Sequence, residues 1–212
     1  MATINSLLEL ARRQLGVKED PPGSNKVKYN TWYYGREVSG AAYPWCMVFV
    51  QWVFDRASVK LPTRTASCGA LMRAAQAAGC WVTKGYRPGD VVIYDFPGGA
   101  ATDHCGIVEA VDGSRVSAIE GNTSAASNAD GGAVERQTRR LSLIAGAVRP
   151  TFDEEVEEMR YNTVAECPDW ARETVQKLID KGYLGGDGQS LDLSRDMVRI
   201  LVIQDRAGSF DQ

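Results

Sequence analysis

Apolar residues recur at helical spacing at Ile4, Leu7, Leu8, Ala11 and Leu15, which predicts an amphipathic helix over residues 3–15. Thr3 is placed to cap it and Gly16 to stop it. A polar loop with two prolines follows at 19–25, then an aromatic-rich stretch carrying Tyr29, Trp32, Tyr33, Tyr34, Tyr43 and Trp45. Residues 45–57 are apolar on nearly every side, the pattern of a helix enclosed all round. A third helix is predicted over 66–78, with Thr65 or Ser67 as cap and Gly79 as stop. Beyond it the period changes to two. Arg87-Pro88-Gly89-Asp90 reads as a turn into a strand at 91–96. Residues 104–111 and 115–122 read as a hairpin about Asp112-Gly113-Ser114, with further strands at 133–138 and 143–148. Helices first and antiparallel strands second define an α+β domain over residues 1–150.

Residues 151–160 are acidic and read as a linker. Over 161–212, Trp170, Val175, Leu178 and Ile179 mark one helix, and Met197, Val198, Leu201 and Val202 another. This helix-loop-helix module of about fifty residues is near the lower size limit for independent folding. Its Asp187-Gly188 turn lacks the spaced acids of a calcium loop.

Charge separates the two parts. The net charge is −3, made up of +4 over residues 1–150 and −7 over 151–212. A value of +4 is too weak to point to nucleic acid. No apolar run approaches the roughly 20 residues that span a bilayer, so no membrane insertion is expected. The N-terminus lacks the basic start and apolar core of a signal peptide, so synthesis and retention in the cytoplasm are expected. The five cysteines, Cys46, Cys68, Cys80, Cys105 and Cys167, form no CxxC pair. Neither a disulfide framework nor structural zinc is expected, and no cofactor is expected either.

His104 is the only histidine, which excludes a His-rich zinc site or a two-histidine relay. It opens a strand, whereas Cys46 opens a strongly apolar helix after a proline-containing turn. A cysteine at a helix start with a histidine on a strand is the layout of a thiol nucleophile and its base. The other four cysteines read as buried core. A third group must orient the imidazole, and Glu120 and Asn122 share a strand face. A three-residue Asp112-Gly113-Ser114 loop, or an equivalent bulge, would pair His104 with Asn122 and Gly106 with Glu120. An unbulged two-residue turn at Asp112-Gly113 would point both side chains away.

Pro44-Trp45-Cys46-Met47-Val48-Phe49-Val50-Gln51-Trp52, Arg87-Pro88-Gly89-Asp90-Val91-Val92, His104-Cys105-Gly106-Ile107-Val108 and Ile119-Glu120-Gly121-Asn122 together resemble the CHAP family, the cysteine, histidine-dependent amidohydrolases/peptidases. The resemblance covers about residues 1–150 and implies a papain-like α+β fold. It implies amide hydrolysis in bacterial peptidoglycan, by an N-acetylmuramoyl-L-alanine amidase or a stem or cross-bridge endopeptidase. It further implies Cys46 as nucleophile, His104 as base, Glu120 as the orienting group and Asn122 as support. Some members bind calcium through an aspartate-rich loop before the cysteine. Residues 29–45 hold no aspartate and only Glu37 as an acid, so no metal site is expected. Trp45, Tyr43, Tyr34 and Trp32 are candidates to line a groove for glycan or stem peptide. The tail weakly resembles one surface-layer-homology repeat and short C-terminal modules of phage lysins, so wall-polymer binding and self-association stand side by side for 161–212. The whole reads as an endolysin held in the host cytoplasm until a holin opens the membrane. Two alternatives are a cytoplasmic thiol amidase of small peptide-like substrates and a wall-binding module without catalysis.

Overall fold

A computed structural model describes residues 2–98, 102–124, 131–153, 159–186 and 190–211. The chain divides into two units, residues 1–155 and 156–212. In the first, helices α1 (Ile4–Arg12), α2 (Lys28–Tyr34), α3 (Cys46–Arg56) and α4 (Cys68–Ala77) precede strands β1 (Trp81–Val82), β2 (Val91–Tyr94), β3 (His104–Asp112), β4 (Arg115–Thr123), β5 (Ala133–Arg140) and β6 (Ile144–Val148). The strands form one antiparallel sheet in the order β1-β6-β2-β3-β4-β5. This is the α+β arrangement that the pattern of apolar residues predicts. The short α2 and β1 were not anticipated: α2 is one of the aromatic stretches, and β1 has two residues.

Helix α3 is apolar all round because it is enclosed. It packs against β3, β4, α1 and α2, and Met47, Val48, Phe49, Val50 and Val53 are fully buried. Val91, Ile93, Cys105, Ile107 and Ile119 face it from the sheet. The opposite sheet face buries Val92, Tyr94, Val108, Val116, Ala118 and Ala147 in a second cluster. Close approach requires glycine at Gly121, where a Cβ would stand 2.5 Å from Phe49 Cβ. The caps are as expected at two helices: Thr3 Oγ1 accepts from Ser6 N at 3.1 Å, and Ser67 Oγ accepts from Ala70 N at 3.3 Å. The turn before β2 is fixed by Asp90, which accepts from Arg87 N at 3.0 Å and takes two bonds from Arg149, at 3.0 and 2.7 Å.

The β3–β4 hairpin reaches its register by a different route from the three-residue loop. Asp112 pairs with Arg115 across a two-residue Gly113-Ser114 turn, and the register then shifts at Glu109, so that Val108 pairs with Ala118 and Ile107 with Ile119. Continued inward, that register sets Gly106 against Glu120, the alignment the sequence reading sought. The bulge residue is gripped from both sides. Glu109 accepts from Arg12 at 2.6 Å and from Arg136 at 2.9 Å, and hydrogen bonds from Arg136 lead in holding its carboxyl down at about 2.

The second unit has its own core of Tyr161, Cys167, Ala171, Val175, Leu193, Val198 and Val202. Helices α5 (Asp169–Asp180) and α6 (Arg195–Arg206) carry it, with a small antiparallel pair, β7 (Arg160–Tyr161) and β8 (Leu193–Ser194). The two helices were predicted; the pair, two residues a side, was not. The Asp187-Gly188 turn lies outside the described residues. At the start of the expected linker, Phe152 packs on the first unit's core and Asp153 Oδ2 accepts from Ala2 N at 2.8 Å. At its end, Arg160 belongs to β7.

Candidate active site

Cys46 is the first residue of α3. Residue 45, its N-cap, offers no side-chain hydrogen bond to the first turn, so the N–H groups there keep their capacity for an anion. The helix start is anchored by Trp45, fully buried, whose Nε1 donates to Glu19 Oε1 at 2.8 Å and whose ring stacks on Tyr29 at 5.6 Å. Asn30 Nδ2 ties the incoming chain down by donating to Tyr43 O at 2.9 Å and to Asn25 O at 2.7 Å.

His104 opens β3, opposite Tyr94 of β2. Its ring is fully buried and stacks on Tyr94, with centroids 6.1 Å apart and planes 18° apart. Nε2 lies 3.0 Å from Glu120 Oε2. Glu120 in turn accepts from Arg139 of β5, Nε to Oε1 at 2.7 Å and Nη2 to Oε2 at 2.5 Å. The Arg139 guanidinium lies over the rings of Tyr94 and Phe96, at 5.1 and 5.0 Å. A Cβ at Gly106 would stand 2.7 Å from Glu120 Cγ, so the absence of a side chain there is what lets the carboxylate lie across the strand toward His104.

The electrostatics follow from these contacts. Burial favours neutral Glu120, but the hydrogen bonds and charges of Arg139 and His104 outweigh it and hold the carboxyl below its ordinary value. Burial likewise favours a neutral His104, but interaction with nearby Cys46 and with Glu120 raises its pKa from 6.5 to about 9. The Cys46 thiol is lowered well below its ordinary value, first by the neighbouring Cys105 and Cys68 thiols, which outweigh burial together with His104. These contacts favour the ion pair, a Cys46 thiolate beside a His104 imidazolium, over the neutral pair. Nε2 is taken by Glu120, and Nδ1 is buried with no hydrogen-bond partner. Nδ1 is thus the nitrogen left to exchange a proton with a group at Cys46.

Glu120, not Asn122, makes the hydrogen bond to His104. Asn122 has a left-handed backbone, φ +57°, at a register irregularity of β4 that breaks the alternation expected of residues two apart. Its Oδ1 accepts from Gly132 N at 3.3 Å, and its buried Nδ2 has no partner. Of the four groove candidates, Trp45 is core rather than groove wall: its ring is spent on holding the helix start. Tyr43, Tyr34 and Trp32 are half-buried, and with Tyr33 they make a run of ring contacts: Trp32–Tyr33 at 6.2 Å, Tyr33–Tyr34 at 5.0 Å and Tyr34–Tyr43 at 5.1 Å. Sequence reasoning missed Arg139 and Tyr94. It also read Cys68 and Cys105 as inert core; they are buried, but their sulfurs lie within 4.8 Å of the Cys46 sulfur. On β3, Cys105 pairs with Ile93 and joins the core under α3, whereas His104 pairs with and stacks on Tyr94 of the opposite cluster.

Residues 38–122 match the family model of the CHAP domain. All four motifs that carry the resemblance fall inside that stretch. Among solved structures, the chain is similar to the crystal structure of Ly7917, at TM-score 0.43 and 19% identity, over 70% of this chain and 62% of that one. The same protein with the hydrolyzing product of MDP gives TM-score 0.43 and 19% identity, over 70% and 63%. The crystal structure of a wild type endolysin, LysIME-EF1, gives TM-score 0.42 and 17% identity, over 72% and 66%. The chain spans less than two thirds of the length of each of these. No curated protein matches it at a significant level.

Proposed function

We propose that the protein is a cysteine-dependent peptidoglycan hydrolase of the endolysin type. The observation that carries this reading is the buried Cys46–His104–Glu120 assembly, lying wholly within the stretch that matches the CHAP domain. In this reading the Cys46 thiolate attacks the carbonyl carbon of a wall-peptide amide. The oxyanion that forms is met by N–H groups at the start of α3. The His104 imidazolium gives its Nδ1 proton to the leaving amine, the C–N bond breaks, and a thioester remains on Cys46. Neutral His104 then takes a proton from water as it attacks the thioester; the C–S bond breaks, the acyl group leaves as the free acid and the Cys46 thiolate is restored. Glu120 keeps the ring in one orientation and stabilises its charged form, and Arg139 keeps Glu120 ionised. Tyr43, Tyr34 and Trp32 are the rings we assign to substrate contact; Trp45 acts through the position of Cys46. Asn122 supports the site through its hold on Gly132.

The scissile bond is an amidase site at N-acetylmuramoyl-L-alanine or an endopeptidase site in the stem or cross-bridge. Among the described residues no helix is long and apolar enough to cross a membrane. Accumulation in the host cytoplasm and release through a holin form part of the proposal.

The tail, residues 161–212, is proposed to bind wall polymer. Its support is a hollow of about 290 Å³ lined by Trp170, Arg199, Val202, Ile203 and Arg206. Its lining is mainly apolar, from Trp170, Val202 and Ile203, a surface for short-range contact; Arg199 beside it is paired with Asp196 at 3.2 Å. Trp170→Ala is expected to reduce co-sedimentation with purified walls; a change in oligomeric state without loss of sedimentation would favour self-association instead.

The catalytic reading is tested with purified Gram-positive peptidoglycan and mass spectrometry of new termini. New amino groups released by the wild type and not by Cys46→Ala are expected, and fragment masses name the bond. No release from walls of several chemotypes would reject it in favour of a small-substrate amidase or a non-catalytic binding module.

A further inference from the structure

Three thiols converge at the site, and hydrolysis needs one. The sulfurs of Cys46, Cys68 and Cys105 all lie within 4.8 Å of one another, and none is in a disulfide. They come from three separate elements: the first residue of α3, the first of α4 and the second of β3. Core packing alone would be served by valine or alanine at 68 and 105, with no sulfur directed at the nucleophile. Three converging thiols are a donor set for a soft cation. With a zinc–sulfur distance of about 2.3 Å, sulfurs around one tetrahedral ion stand about 3.8 Å apart. The three sulfurs here need to close by less than about 1 Å to reach it.

We propose that Cys46, Cys68 and Cys105 form a site for a thiophilic cation, zinc(II), that caps the nucleophile reversibly. Each sulfur binds as its thiolate, any proton it carries passing to solvent, with no change of oxidation state. Three protein sulfurs leave the fourth position of the ion for water. A zinc ion with three thiolates carries one net negative charge. The ion enters at Cys46 and Cys68, each 7% exposed, while Cys105 is fully buried beneath them. The metal site stands on the three sulfurs alone; its consequence, a blocked hydrolase, rests on the function proposed above.

The test is a zinc(II) titration of the whole, reduced, metal-stripped protein against a chromophoric chelator. Proton release is followed, and cobalt(II) is used as a spectroscopic reporter of thiolate ligation. The expected result is one equivalent bound, proton release on binding and a thiolate-to-cobalt charge-transfer band. Cys68→Ala and Cys105→Ala are each expected to weaken binding by about 100-fold, at least the loss that follows removal of a supporting group. Circular dichroism confirms that each variant is folded, and Cys105→Val stands in if the alanine variant is not. Unchanged affinity in both variants would overturn the three-thiol site and place the ion on Cys46 and His104 alone; so would failure of the folded wild type to bind zinc. The two readings fail separately. A protein that binds zinc through three thiolates but cuts no peptidoglycan keeps the site and loses the hydrolase, and one that cuts peptidoglycan but binds no zinc does the reverse.

Discussion

His104 shows how far one side chain depends on residues it does not touch. Its charge is held by Glu120, and the charge of Glu120 is held by Arg139, which stacks on Tyr94 and Phe96. Removing the guanidinium while leaving the buried carboxylate is costly, so Arg139→Leu is expected to destabilise the fold by about 3–5 kcal/mol. Urea unfolding checks this, and Arg139→Lys is expected to restore part of the loss. The pH dependence follows from the same group. His104 has its pKa raised from 6.5 to about 9 in the folded protein. The stability its imidazolium contributes is therefore fully present below about 6.5 and is lost as pH rises through about 9. In the proposed mechanism the same proton serves the leaving amine, so hydrolysis in chelated buffer is expected to hold through neutral pH and fall above about 9. A rate that still climbs past that point, as for an ordinary thiol, would argue against the ion pair.

The pairing of Cys46 with His104 was readable in the sequence because each opens a patterned element: an all-apolar helix and a strand ending in a turn. Arg139 was not, because its role depends on the register of β5 against β4, and no local pattern encodes which residue crosses to Glu120. Cys68 and Cys105 were read as core for the same reason. Burial was visible in the pattern, but convergence of three elements on one point was not. The burial of Trp45 was hidden too, since an aromatic before a helix start can turn inward or outward.

In the hairpin, one extra residue decides whether the site exists. The two-residue turn alone would leave the inner ends of β3 and β4 out of step; the bulge at Glu109 corrects them, and Arg12 and Arg136 hold it. Gly106 and Gly121 then mark the two faces of the pair, one against Glu120 and one against Phe49. Gly106→Ala places a methyl group where Glu120 Cγ lies, and is expected to lower the hydrolytic rate by at least about tenfold with the fold retained. Gly121→Ala meets packed Phe49 instead, and is expected to cost about 1–3 kcal/mol of stability. Parallel rate and urea-unfolding measurements on the two variants separate these effects. If both lost stability equally with no difference in rate, the carboxylate of Glu120 would have no special dependence on Gly106.

Across the whole molecule, the helices-then-strands order was sufficient to give the class of the first unit, because α3 and the sheet bury each other without help from distant segments. The second unit was harder. Its amphipathic helices could be read, but the β7–β8 pair that closes its core brings together residues more than thirty positions apart in strands too short to show a period. The two units have separate cores, so two calorimetric transitions are expected. Leu193→Ala, which empties a buried position of the second core, is expected to cost about 2–5 kcal/mol there and shift only one of them. A single transition that moves as a whole would show one cooperative unit.

Catalysis by Cys46 requires a covalent bond between its sulfur and the substrate acyl group. Protein quenched in acid during turnover of peptidoglycan fragments, then digested and mapped by mass spectrometry, is expected to carry a wall-peptide acyl group as a thioester on the Cys46 peptide. Hydroxylamine should remove it, and Cys46→Ala should lack it. Hydrolysis that proceeds with Cys46 unmodified, or in the Cys46→Ala variant, would contradict the account.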